Sequence, residues 1–212
     1  MVEQAATVLI PALNEQSTIG EVVSVARRAG FPVVVVDDGS SDDTATVAAE
    51  AGASVVRLER NLGKGGAYAA GLKLISTPYL ILLDADLVGL KPKHLRTLLE
   101  PVVSDGVDMA IGVFQGGRFL SDFGNRLTPQ LSGQRALRTE LFRSLPGLKN
   151  ARYDVELKLT RWARQEKWRV RYVPLKGLGQ RLKEEKRGLI AGLAHRLKMY
   201  LQIIRYIFRP KV

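Results

Sequence analysis

The chain has 212 residues, 46% of them hydrophobic, with no cysteine and a net charge of +11, enough apolar material for one core of good size and no role for disulfides. No uncharged apolar run reaches the roughly 18 residues a membrane-crossing helix needs, and Met1-Val2-Glu3-Gln4 lacks the basic start of a signal peptide, so neither a bilayer span nor a leader is expected. Residues 1–117 hold 9 Lys+Arg against 14 Asp+Glu, and residues 118–212 hold 23 against 7, a division that points to a metal–nucleotide site in front and an anionic partner behind, be it nucleic acid, anionic lipid or a phosphorylated small molecule.

Thr7 to Leu13 reads as a first strand, followed by the turn Asn14-Glu15-Gln16-Ser17, with Ser17 as N-cap of a helix to about Ala29. Gly30-Phe31-Pro32 breaks that helix. Val33 to Val36 is a second strand running into Asp37-Asp38-Gly39-Ser40, and Ser41 or Asp42 caps a helix over Thr44 to Ala51. Ser54 to Leu58 is a third strand, and Asn61-Leu62-Gly63-Lys64-Gly65-Gly66 opens a helix to about Ile75. Tyr79-Leu80-Ile81-Leu82-Leu83, bounded by Pro78 and by acids, has the pattern of a strand buried on both faces. This alternation predicts βαβ units and a mostly parallel sheet flanked by helices. A helix is expected from Pro92 to Val103, a strand from Asp108 to Phe114 and a long loop or flap over Gly116 to Pro129. Helices over Thr139–Ser144 and Asp154–Glu166, a strand over Trp168–Val173 and a basic loop from Lys176 to Arg187 follow. From Leu189 on, apolar residues recur at Leu193, Leu197, Tyr200, Ile204 and Ile207, flanked by Arg196, Lys198, Arg205 and Arg209. Such a stripe belongs either to a core-packing helix or to a basic amphipathic helix lying on a membrane surface. The expected division is a domain over 1–175, with halves 1–117 and 118–175, and a basic loop and helix over 176–212.

Four loops follow four consecutive strands: Pro11-Ala12-Leu13-Asn14-Glu15, Asp37-Asp38-Gly39-Ser40, Gly63-Lys64-Gly65 and Asp84-Ala85-Asp86. In a parallel sheet all four project from the carboxyl edge, where such sheets bind ligands. Carboxylates at i and i+2 on an extended segment share a side and suit a hard divalent cation that bridges to phosphate. A lysine answers phosphate charge, and small residues let the backbone approach a ribose. Taken singly, Asp86 is equally a helix cap and Lys64 a solvated helix-start residue.

These segments, with Val36-Asp37-Asp38-Gly39-Ser40-Ser41-Asp42 and Asn61-Leu62-Gly63-Lys64-Gly65-Gly66-Ala67, resemble the successive motifs of family 2-type glycosyltransferases with the GT-A (Rossmann-like) fold, over roughly residues 7–175. The resemblance implies a nucleotide-diphosphate-sugar donor and a Mg2+ or Mn2+ ion. It implies that Pro11, Ala12, Leu13, Glu15, Asp38, Gly39 and Ser40 contact the nucleoside side of the donor, that Lys64 lies near the donor, and that Asp84, Ala85 and Asp86 meet metal and diphosphate, Asp84 and Asp86 as metal ligands. Tyr153-Asp154-Val155-Glu156-Leu157 is similar to polyprenyl-phosphate sugar transferases, and Ala12-Leu13-Asn14-Glu15 with Asp84-Ala85-Asp86-Leu87 is similar to glucosyl-3-phosphoglycerate synthases. Ser132-Gly133-Gln134-Arg135 resembles the acceptor-side segment of both. Val88 stands where some polyprenyl-phosphate enzymes carry a glutamine; for the late metal-assisting histidine of the phosphoglycerate enzymes, Gln180 is the nearest match and His195 lies on the tail.

Asp154 is read either as the base or acceptor-orienting acid of the reaction or as a helix cap, since an ionised phosphate acceptor needs no base. The expected activity is metal-dependent sugar transfer, with Lys64 and Asp86 as catalytic residues, in the cytoplasm and peripheral at the inner membrane face. The acceptor is phosphorylated or lipid-linked, polyprenyl phosphate favoured, with a soluble phosphoglycerate-type acceptor as the alternative. A sugar nucleotidyltransferase would need a glycine-rich signature after the first strand, where Pro-Ala-Leu-Asn-Glu stands instead. A nucleic-acid-binding protein is disfavoured by 7% aromatic content and the lack of a recognised motif.

Overall fold

The structure, a computed structural model, describes residues 2–115, 132–151 and 154–180. Residues 1–179 form one compact unit; of the unit that begins at Gln180, only Gln180 is among the described residues. The expected flap over 116–129, Tyr153, the basic loop beyond Gln180, His195 and the amphipathic stripe therefore lie outside them.

The strands of the described residues are β1 (Ala6–Ala12), β2 (Val33–Asp37), β3 (Ser54–Arg57), β4 (Tyr79–Leu82), the two-residue β5 (Leu87–Val88), β6 (Met109–Gln115), β7 (Arg135–Arg138), β8 (Val170–Lys176) and the two-residue β9 (Gly179–Gln180). The helices are α1 (Ile19–Arg28), α2 (Thr44–Glu50), α3 (Lys64–Gly71), α4 (Pro92–Ser104), α5 (Thr139–Arg143) and α6 (Val155–Gln165). Seven strands make one sheet in the order β3-β2-β1-β4-β7-β6-β8. All pair in parallel except β7, which runs antiparallel to both β4 and β6. The carboxyl ends of β1 to β4 thus share an edge with the amino end of β7.

Period-two alternation explains the two-sided core. Val8, Ile10, Val33, Val35, Ile81 and Leu83 pack with α1 and α4 on one face. Leu9, Val34, Val36, Leu80 and Leu82 pack on the other with Tyr68 of α3, Phe142 of α5 and Val155, Leu159 and Ala163 of α6. Each fully buried Leu, Ile or Val contributes on the order of 1.5–3 kcal/mol, so β4 is fixed from both sides just before its acids.

Several boundaries differ from expectation. The N-cap of α1 is Thr18, not Ser17, and its hydroxyl donates to the Glu15 carbonyl and carboxylate. Asp43, not Ser41 or Asp42, precedes α2, although Asp42 Oδ1 does accept the Thr44 N–H at 3.1 Å. The third helix stops at Gly71 and continues only as a 3-10 turn through Leu74. Gly71 lies so close to the sheet that a Cβ would meet Leu9 Cδ1 at 2.4 Å. β8 starts two residues later than expected because the Trp168 backbone closes the last turn of α6. Lys167 is left-handed (φ 54°), its N–H meets the Arg164 carbonyl, and the Trp168 N–H reaches back to Ala163 at 2.8 Å, a Schellman closure with lysine in the place glycine usually takes. β7 was not anticipated at all: four residues with an arginine at each end carry no alternation that sequence reading detects.

Candidate active site

Three of the four predicted loops are stitched together by backbone donors. Asn14 takes a left-handed conformation (φ 55°), and its N–H donates to Ser40 Oγ at 2.9 Å while its Oδ1 accepts the Ser41 N–H at 2.9 Å. The Glu15 N–H donates to Thr44 Oγ1 at 2.8 Å, and the Asp38 N–H to the Ala12 carbonyl at 2.8 Å. Asp37 is fully buried and turns the loop by accepting the Ser40 N–H at 2.9 Å. Asp38, 5% exposed, spreads its carboxylate over the N–H groups of Leu62 (2.7 Å) and Gly63 (2.9 Å). Gly39 (φ 78°) lies against the Arg60–Asn61 backbone, where a Cβ would stand 3.0 Å away. Ala12 and Ser40 are buried, while Pro11, Leu13 and Glu15 are half-buried at the rim. The geometry gives Asp38 a defined task, to clamp the glycine loop.

That loop is glycine-bearing for a packing reason. The Gly65 N–H bonds the Ala151 carbonyl at 2.9 Å, and a Cβ on Gly65 would sit 2.1 Å from the Leu148 carbonyl oxygen. The start of α3 is thereby pressed onto the 148–151 turn, and Lys64 is delivered under the end of β4. Its Nζ donates to Asp84 Oδ1 at 2.6 Å and to Glu156 Oε1. The three side chains are 21%, 17% and 12% exposed. Tyr68, one turn on, lies with its ring centroid 5.8 Å from Nζ and meets the Phe142 ring edge-on at 5.3 Å. Burial disfavours the ammonium, but Asp84 and then Glu156 outweigh it and hold the Lys64 pKa well above the usual lysine value. Burial raises the Tyr68 pKa, with Lys64 opposing.

β7 supplies the opposite wall. Its register pairs Leu82 with Arg135, which carries Gly133 and Gln134 alongside Asp84. A Cβ on Gly133 would stand 2.5 Å from both Asp84 oxygens. Gln134, 1% exposed, accepts the Asp84 N–H at 3.1 Å through Oε1 and donates to Asp84 Oδ2 at 3.0 Å through Nε2. Ser132 Oγ accepts the Gln134 N–H at 3.3 Å. Arg135 is also 1% exposed; its guanidinium donates to the Ser132 carbonyl, the Glu156 carbonyl and Thr160 Oγ1. Burial lowers its pKa, against the attraction of Glu156.

The structure thus brings Lys64, Asp84, Gly133, Gln134 and Arg135 into one cluster, with Asp86 half-buried two residues along the same segment. Asp154 sits at the residue before α6, paired with Lys158 Nζ at 3.1 Å, and makes no capping bond through its side chain. Glu156 was missed as a site residue. The signal available was an acid at the start of a helix, between Val155 and Leu159, with Leu159 and Thr160 rather than a cation at i+3 and i+4. Tyr68 was signalled by its i+4 spacing from Lys64.

The donor set fits a substrate-completed divalent site. Among the described residues no group of three or more His, Cys, Asp or Glu side chains is placed to hold a metal ion, so these residues by themselves form no closed cage. Two strand-end carboxylates offer hard oxygen donors, and Mg2+-type ions are commonly bound through one or two carboxylates plus substrate phosphates. Asp84 already answers Lys64 and Gln134, and Asp84 and Asp86 are the side chains that could hold such an ion. Within the described residues no helix is long and apolar enough to cross a membrane.

Comparison with known proteins agrees with this geometry. The model of the family described as glycosyl transferase family 2 matches residues 7–149. An uncharacterised protein of Methanocaldococcus jannaschii is 34% identical over 194 residues, 80% of this chain and 79% of its own. An undecaprenyl-phosphate 4-deoxy-4-formamido-L-arabinose transferase of Sodalis glossinidius is 37% identical over 111 residues, 47% of this chain and 34% of its own length. A crystal structure of glucosyl-3-phosphoglycerate synthase from Mycobacterium tuberculosis with Mn2+, UDP-glucose and phosphoglyceric acid superposes with a TM-score of 0.70 at 28% identity, covering 92% of this chain and 80% of that one. The GT-A architecture expected from the motifs is therefore the architecture found. The chain belongs to glycosyl transferase family 2 and is a glycosyltransferase of the nucleotide-sugar-dependent type.

Proposed function

We propose that the chain transfers a sugar from a nucleotide-diphosphate-sugar to a phosphate-bearing acceptor with the help of Mg2+ or Mn2+. The observation that carries this reading is the junction at the end of β4, where Asp84 and Asp86 follow a strand buried on both faces and Lys64 is held 2.6 Å from Asp84. An acceptor oxygen forms a bond to the sugar C1 as the bond from C1 to the diphosphate oxygen breaks, and the nucleoside diphosphate leaves with that electron pair. A bound divalent ion supplies Lewis-acid stabilisation of the departing diphosphate. Asp86 and Asp84 would hold that ion, and Lys64, fixed by Glu156, keeps an ammonium beside the leaving group. Pro11, Leu13, Glu15 and the Asp38-Gly39-Ser40 turn form the rim that the nucleoside meets. Asp154 serves as base only for a hydroxyl acceptor, because a phosphate acceptor arrives ionised.

The donor side is tested by thermal unfolding with nucleotide diphosphates and their sugars, with and without Mn2+. One donor is expected to raise the melting temperature, and more so with the ion, by mass action on the native state. No response to any of them would remove the reading.

Two acceptor classes follow from the relatives. The arabinose transferase is named for undecaprenyl phosphate and the crystallised synthase was solved with phosphoglyceric acid. The polyprenyl-phosphate reading is favoured by residues 176–212, which carry 10 Lys+Arg against 2 Asp+Glu along the apolar stripe. Cations near an anionic leaflet contribute on the order of 1 kcal/mol each. Salt-sensitive co-sedimentation with phosphatidylserine vesicles is expected, reduced by Arg205→Glu with Arg209→Glu. Full-length protein that ignores such vesicles would favour the soluble, phosphoglycerate-type acceptor.

A further inference from the structure

We infer that Gln134 is a positioning residue of the donor site, one that locks Asp84 in a single rotamer, and not a contact to the acceptor. The inference rests on the nucleotide-sugar reading above and extends it to the strand that enters from the acceptor side. Three observations carry it. The amide is 1% exposed and both its ends are spent on one residue: Oε1 accepts the Asp84 N–H at 3.1 Å and Nε2 donates to Asp84 Oδ2 at 3.0 Å. Gln134 cannot drift, because its own carbonyl accepts the Gly112 N–H of β6 at 2.8 Å. Asp84 in turn has no lateral freedom on the β7 side, where Gly133 leaves too little room even for a methyl group.

Lys64 holds Oδ1 at 2.6 Å from the opposite side. The two oxygens of Asp84 are therefore aimed by two different elements, the start of α3 and the start of β7. Only an amide serves at position 134. The backbone N–H requires an acceptor and the carboxylate requires a donor, at adjacent atoms of one planar group. Glutamate would set a carboxylate against a carboxylate, and methionine of similar volume would satisfy neither partner. The antiparallel entry of β7 has a purpose on this account: it brings a side chain from a distant part of the chain onto the donor acid.

The test uses the full chain with Gln134→Met, Gln134→Glu, Asp84→Asn and the double variant Gln134→Met/Asp84→Asn. Thermal unfolding is followed without ligand, and UDP affinity is measured by calorimetry in Mn2+. Both single Gln134 variants are expected to melt cooperatively and to bind UDP at least about tenfold more weakly, a change of roughly 1.4 kcal/mol. In transfer assays the donor KM is expected to rise more than kcat falls. In the Asp84→Asn background the methionine substitution is expected to change UDP affinity less than about twofold, since contacting residues couple in such a cycle. Wild-type UDP affinity in both variants overturns the inference. So does an equal loss in the Asp84→Asn background, or loss of cooperative melting in both variants, which makes the role merely structural. If the wild-type chain binds neither UDP nor any other nucleoside diphosphate, the donor reading itself falls, and that outcome is visible before any variant is made.

Discussion

Lys64→Met is expected to lower both stability and transfer, the first by more than a surface lysine would. Its ammonium is the shared cation of two carboxylates that are 17% and 12% exposed. Removing one partner of a buried ion pair costs about 3–5 kcal/mol, because the remaining charges stay desolvated. At roughly 2–4 °C per kcal/mol for a chain of this size, the melting temperature falls on the order of 10 °C. Transfer falls by about tenfold or more, the scale of a lost charge-assisted hydrogen bond. Lys64→Arg keeps the charge but replaces a compact ammonium with a planar fork, so partial loss of both is expected. The pH dependence has a defined sign. The folded pKa lies above the ordinary value of 10.5, so the stabilisation is complete below that value and is lost only as pH rises through the folded pKa. Unfolding curves of the wild type across neutral pH should therefore show no step attributable to Lys64. An unchanged melting temperature and unchanged kinetics in Lys64→Met would return it to a solvated helix-start residue.

The first half of the chain was the legible half. β1, β2 and β4 are apolar runs with clear breakers, and the parallel order they predict puts Glu15, Asp38, Lys64 and Asp84 on one edge. What sequence did not convey was the pairing within that edge. Asp38 belongs to the glycine loop through two backbone N–H groups, which no side-chain pattern records. Lys64 meets Glu156 across 92 positions, and nothing local in either segment names the other. β7 escaped because Arg135-Ala136-Leu137-Arg138 is short and charged at both ends. Arg135 is among the most buried side chains of the described residues, its charge absorbed by carbonyls of the 132 segment and α6. Residues 132–135 resemble an acceptor-side segment, and their contacts, 133 and 134 with Asp84 and 135 with α6, are long-range pairings that the resemblance does not convey. The packing of Gly65 on the 148–151 turn is likewise a contact that no local pattern records.

Asp86→Ala is expected to abolish transfer while leaving the fold intact, since a half-buried acid beyond the end of β4 takes no part in either core cluster. Asp84→Ala should weaken nucleotide binding and also stability, because it strips Lys64 and Gln134 of their shared partner. These two outcomes would separate an acid that meets the ion from an acid that organises the pocket. The most direct measurement is calorimetric titration of UDP into the wild type and Asp86→Ala, each in Mn2+ and in EDTA, with transfer assayed on the same samples. The wild type should bind at least about tenfold more tightly in Mn2+ than in EDTA, a gap of roughly 1.4 kcal/mol, and Asp86→Ala should show the same weak binding in both and no transfer. Wild-type transfer by Asp86→Ala in EDTA, with UDP binding indifferent to the ion, would contradict the metal-dependent mechanism.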